Sequence, residues 1–140
     1  MDAANSELQK GISFLDKRDY DAAIRSFTEV IRLAPTFAGA YNNRGIAYRQ
    51  KGEHGKAIAD YSEAIQLDPK NGEVYNNRGI AYRIIGEHDK VIADFTKAIQ
   101  LNPDYASAYF GRGVAYSKKG DNAKAEQDFT QAKRLGFKGK

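Results

Sequence analysis

The string YNNRGIAYR stands at Tyr41–Arg49 and again at Tyr75–Arg83, a shift of 34 residues. The string IADYSEAIQLDP at Ile58–Pro69 returns as IADFTKAIQLNP at Ile92–Pro103 with the same shift. A fixed period of this length points to stacked supersecondary units, each too small to bury its apolar face alone. The 140 residues divide into four such units, 4–37, 38–71, 72–105 and 106–139. Each reads as two helices. Apolar and small residues recur at helical spacing in the first half, as in Tyr41, Gly45 and Tyr48. They recur in the second half as Ala57, Tyr61 and Ala64. Gly52, Gly86 and Gly120 fall where a helix C-terminus favours positive φ, and Pro35, Pro69 and Pro103 close the second helix. No segment alternates with period 2, so no strand is expected.

The repeat also sets a register. Gly11, Gly45, Gly79 and Gly113 occupy one position of the first helix, at about 1 kcal/mol each relative to Ala. Phe27, Tyr61, Phe95 and Phe129 follow sixteen residues later. An antiparallel hairpin with its turn midway brings the two positions together. Ala23, Ala57 and Ala125, with Val91 as the larger exception, let the backbones approach nearby. Arg44, Arg78 and Arg112 are likewise sixteen residues ahead of Asp60, Asp94 and Asp128. The first unit has Lys10 and Ser26 at those places. Joint presence and joint absence predict a partly buried structural ion pair within each unit, though an adjacent unit could supply the partner.

These positions resemble the tetratricopeptide repeat family: an aromatic, Gly and Tyr in the first helix, then Ala, an aromatic, Ala and Pro. Tyr41, Gly45, Tyr48, Ala57, Tyr61, Ala64 and Pro69 carry the pattern in the second unit. The first unit departs most, with Glu7 for the tyrosine and Arg18 for the turn glycine. The resemblance implies an all-α, right-handed α-solenoid of four antiparallel helix–turn–helix units, about eight helices. It also implies a non-enzymatic adaptor or scaffold whose concave groove binds a peptide or protein segment.

On the second helix, Ile24/Ile31, Ile58/Ile65 and Ile92/Ile99 share two positions that Glu126 and Lys133 fill in the fourth unit. Ser6 and Ser13 replace the small apolar residues that later units turn toward the preceding one. Both ends therefore read as water-facing, and residues 1–140 as a single complete array, although each end could instead bind another domain.

A third flank of the first helix points neither at its own partner helix nor at the previous unit. Ile12, Ile46, Ile80 and Val114 form an aliphatic row along it, widened by Leu8, Leu15, Ile84 and Phe110. Asn42, Asn76, Arg49 and Arg83 flank the row, with Lys118 beyond. Amides can satisfy an extended peptide backbone, and Arg can take a carboxylate bidentately. The expected partner is a protein or peptide segment with apolar anchors and some acidic character. Packing of the row into the core, or against a second copy, is the competing reading. In the resembled family, binders of acidic chaperone tails carry Lys and Asn four apart on the first helix, and Lys and Arg four apart two units later. Leu8, Ile12, Glu73 and Asn77 stand there instead, and only Asn43 matches, so that clamp is not expected.

Charge supports two alternatives. Residues 1–70 hold 10 Lys+Arg against 10 Asp+Glu, and residues 71–140 hold 12 against 8. The chain could instead self-associate through the Leu8/Ile12/Leu15 end or the basic C-terminus, or bind nucleic acid through Arg49, Arg83, Lys118 and the tail. The excess is sparser than a usual nucleic-acid footprint. There is no Cys, which removes disulfides and thiolate chemistry. His54 and His88 occupy equivalent turn positions without an acidic or histidine cluster around them, so neither a metal nor a cofactor is expected. No serine sits in a nucleophile's context and no glycine loop cradles phosphate, so catalysis is not expected. The polar start lacks a signal-peptide apolar stretch, which fits a cytoplasmic location.

Overall fold

A computed structural model describes residues 2–139. Eight α-helices follow in order: α1 (Ala3–Asp16), α2 (Tyr20–Leu33), α3 (Ala38–Gln50), α4 (His54–Leu67), α5 (Gly72–Ile84), α6 (His88–Leu101), α7 (Ala106–Lys118) and α8 (Asn122–Arg134). Among the described residues there is no strand, and the fold is the all-α helical-repeat class the 34-residue period predicts. The chain divides into two compact units, Met1–Pro69 and Lys70–Lys140.

In the first unit α1 packs on α2, α2 on α3 and α3 on α4. The α1–α2 turn closes with Asp19 N–H donating to the Phe14 carbonyl at 2.9 Å, and the α3–α4 turn with Glu53 N–H donating to the Tyr48 carbonyl at 2.8 Å. Each is a Schellman closure, which needs a left-handed residue just past the helix end. Gly52 supplies it at φ +89°. Arg18 must do the same at φ +61°, the one described non-glycine residue with positive φ. At Gly11 and Gly45 a Cβ would stand 2.5 Å and 2.7 Å from the rings of Phe27 and Tyr61, so these helices cross at contact distance through the missing side chain. Phe27, Ala23 and Ala47 form a sealed cluster, with Leu8, Phe14, Leu15 and Ile24 packed over it.

The second unit repeats the arrangement with α5 to α8. Gly86 and Gly120 take φ +81° and +84° in its turns. A Cβ on Gly79 or Gly113 would meet Phe95 at 3.1 Å or Phe129 at 2.8 Å. The core includes Val74, Ala81, Val91, Phe95, Ala98, Ala108, Ala115, Ala125 and Ala132, all buried. At the far flank of α8, Glu126 and Lys133 are exposed, as their charge requires. Ser13 is exposed and Ser6 half-buried on α1.

Candidate functional site

Each full-pattern hairpin is locked by one ion pair. Arg44 donates to Asp60 through Nε and Nη2 at 2.8 Å each. Arg78 does so to Asp94 at 2.9 and 2.8 Å, and Arg112 to Asp128 at 2.8 and 2.7 Å. All three pairs lie within one hairpin, which answers where the partner comes from. The guanidiniums also lie over tyrosine rings, Arg44 at 5.8 Å from both Tyr41 and Tyr48. Hydrogen bonding to Asp60 holds the Arg44 pKa above its ordinary value, against burial. Burial pushes the Asp94 carboxyl up, with Arg78 pulling it back. Carboxylates matched two-to-two with guanidiniums leave little capacity for a ligand, so this is structure rather than a site.

The spare nitrogen of the arginine reaches further. Nη1 of Arg44 donates to Thr28 Oγ1 of α2 at 3.1 Å, and Nη1 of Arg112 to Thr96 Oγ1 of α6 at 3.2 Å. A second brace joins Lys51 to Asp21 at 2.7 Å in the first unit and Lys119 to Asp89 in the second. These tie successive hairpins together within each unit. Periodicity inside one hairpin does not announce them, although Asp21/Lys51 and Asp89/Lys119 share a spacing of 30.

The predicted binding residues divide by environment. In the first unit Ile12 is 36% exposed, Ile46 and Arg49 are half-buried, and Leu8 and Leu15 rest on the core cluster. Two hollows lie among these residues. One is lined by Asn5, Leu8 and Phe37, the other by Leu15, Tyr20, Ile46 and Gln50. Asn42 is buried, so its amide does not stand open to water.

In the second unit Ile80 and Val114 are half-buried, while Arg83 and Lys118 are exposed. Ile84 and Ile85 are 51% and 49% exposed. Ile85 occupies the position that Lys51 and Lys119 fill elsewhere, so the exposed aliphatic pair is a departure from the repeat. Asn76 is 6% exposed and its amide, too, lies inside. Phe110 is not a free surface residue. Its ring packs 5.4 Å from Phe129 and 4.7 Å from Phe137, centroid to centroid. Phe137 reaches it because Gly136 turns the tail back at φ +94°, with Phe137 N–H donating to the Ala132 carbonyl at 2.9 Å. Among the described residues no group of three His, Cys, Asp or Glu could hold a metal. Among the same residues no helix is long and apolar enough to cross a membrane.

Models of the tetratricopeptide repeat match residues 8–72, 72–105 and 95–127. Among solved structures the chain is similar to MamA, with a TM-score of 0.92 and 31% identity over 95% of this chain and 78% of that one. A tetratricopeptide repeat protein from Parabacteroides merdae superposes with a TM-score of 0.88 at 27% identity, covering 97% of this chain and 54% of that one. The second such domain of Spaghetti (RPAP3), bound to the HSP90 peptide SRMEEVD, gives 0.69 at 32% identity, covering 70% of this chain and 91% of that one. No curated protein matches in sequence. The chain belongs to the tetratricopeptide repeat family.

Proposed function

We propose that this protein is a non-enzymatic interaction module that binds a protein or peptide segment on the open flank of its leading helices, α1 and α3 in the first unit and α5 and α7 in the second. The observation that carries the reading is the grouping of the exposed Ile84 with Arg83 and Lys118, two exposed cations that form no ion pair among the described residues. Aliphatic surface beside unpaired cations suits an apolar anchor followed by a carboxylate. The similarity to a domain holding the acidic peptide SRMEEVD supports a peptide of that character. Leu8, Ile12 and Glu73 give this chain different chemistry from a lysine-based clamp, so the preferred sequence should place an aliphatic residue before its acids.

Selection from a displayed random-peptide library tests this. The expected outcome is a consensus pairing Leu, Ile or Val with Asp or Glu, whose binding falls at least tenfold for Arg49→Glu/Arg83→Glu. A basic or featureless consensus, or equal binding by wild type and variant, would overturn the reading.

A further inference from the structure

Phe27, Tyr61 and Phe95 are sealed, at 0%, 0% and 1% exposed, but their equivalent Phe129 is only half-buried. The difference lies at one edge of the ring. The Cδ1–Cε1 edge meets the glycine of its own hairpin, Gly79 for Phe95 and Gly113 for Phe129. The Cδ2–Cε2 edge of Phe95 is closed by the next hairpin, where a Cβ on Gly111 of α7 would stand 2.5 Å from the ring. Within the second unit α8 packs on α7 alone, so no helix does the same for Phe129. Phe110 and the tail residue Phe137 gather there instead, Phe110 at 5.4 Å from Phe129 and Phe137 at 4.7 Å from Phe110.

These rings do not fill the space. A cleft of about 540 Å³ remains, lined by the apolar side chains of Phe110, Phe129, Ala132 and Phe137. Its size falls within the range of ligand pockets, about 300–1,000 Å³. Lys133 and Lys138 also line it, both exposed and neither in an ion pair among the described residues, and no acidic residue joins them. Phe137 is fixed as a wall. Gly136 turns the chain, Phe137 N–H is bonded to the Ala132 carbonyl, and Gly139 lies so close to the ring that a Cβ there would collide with it.

The sequence of α8 restricts what can enter. Glu126 and Lys133 stand where the other hairpins carry isoleucine, so a helix laid along all of α8 would bury two charges. The apolar surface is confined to the Phe129–Ala132 end, which suits a single side chain. A ring can pack offset or edge-on against the three rings already there, and two unpaired cations favour a carboxylate beside it.

We propose that this cleft is a binding pocket for an aromatic side chain of the partner segment, with a neighbouring Asp or Glu paired to Lys133 or Lys138. Phe110 and Phe129 receive the ring and Phe137 flanks it. The pocket rests on the peptide-binding reading above and adds an aromatic anchor to the aliphatic one at Ile84.

The test uses blocked dipeptides as probes, acetyl-Phe-Asp-amide against acetyl-Ala-Asp-amide and acetyl-Phe-Asn-amide, titrated into the full chain and followed by amide NMR. The expected result is a saturable shift confined to Phe110, Phe129 and the 132–139 segment. Half-saturation by Phe-Asp should come at a concentration about fivefold lower than for Ala-Asp, and about threefold lower than for Phe-Asn. Phe137→Ala should raise it about fivefold. Lys133→Gln/Lys138→Gln should abolish the preference for Asp over Asn and keep that for Phe over Ala. Equal half-saturation by Phe-Asp and Ala-Asp, or shifts scattered over the surface, would overturn the pocket. So would tighter binding by Phe137→Ala, which would make Phe137 a plug in place of a wall. Library-selected peptides that carry no aromatic residue and are indifferent to Phe137→Ala would remove the pocket and leave segment binding standing. A dipeptide response with no selected peptide would do the reverse.

Discussion

Arg18 holds the left-handed turn that glycine holds at positions 52, 86 and 120. A side chain in that region costs about 1–2 kcal/mol, part of which glycine returns through its greater freedom in the unfolded chain. Arg18→Gly should therefore raise stability by about 0.5–1 kcal/mol in a denaturant titration, without changing the slope. Tyr61 makes a prediction with a defined pH window. Burial pushes its phenol from the ordinary value of 10.0 up to about 12. The raised folded value means the neutral form is favoured by the fold, so that contribution is intact below 10 and is lost as pH rises through 12. At about 1.4 kcal/mol per unit, wild type should lose about 2–3 kcal/mol relative to Tyr61→Phe across that window, read as diverging melts. Parallel melts would mean the phenol ionises freely in the fold. The glycine–aromatic register and the Arg–Asp register were legible in the sequence because four copies of one hairpin could be compared. The burial of Asn42 and Asn76 was not: a helical spacing places a residue on a flank but does not say how deep the neighbouring helices leave it.

At the scale of the hairpin, the ion pairs separate two kinds of electrostatic contact. Arg44 and Asp60 are largely shielded, with side chains 19% and 8% exposed, while Lys51 and Asp21 are 39% and 63% exposed. Removing one partner of the shielded pair leaves a carboxylate without its two donors, and also frees Thr28 and two tyrosine faces. Arg44→Ala should cost about 2–4 kcal/mol, whereas Lys51→Ala should fall within about 0.5 kcal/mol. Equal, small losses in chemical denaturation would reduce the Arg–Asp ladder to surface decoration. The bonds from Arg44 to Thr28 and from Arg112 to Thr96 escaped sequence reading because they cross from one hairpin to the one before it. The covering of Phe110 by Phe137 escaped it for a similar reason: the tail follows the last helix and has no counterpart in the repeat.

At the scale of the whole molecule, charge and apolar surface make separable contributions to binding. The chain carries +4 net, and the excess lies in residues 71–140. Exposed cations act through a field that salt screens within about 8–10 Å, and chiefly change association rate. An aliphatic anchor acts through contact area, which salt leaves nearly unchanged. Two substitutions on adjacent residues of α5 distinguish them. Arg83→Glu should weaken a library-selected acidic peptide and flatten its dependence on salt, mostly through slower association. Ile84→Asp should weaken it by about tenfold at every salt concentration, mostly through faster dissociation. Both side chains are exposed, so both variants should melt within a few degrees of wild type. Identical salt profiles for the two variants would mean that the aliphatic and cationic residues do not hold one ligand, and the flank of α5 and α7 would lose its claim to be the binding face.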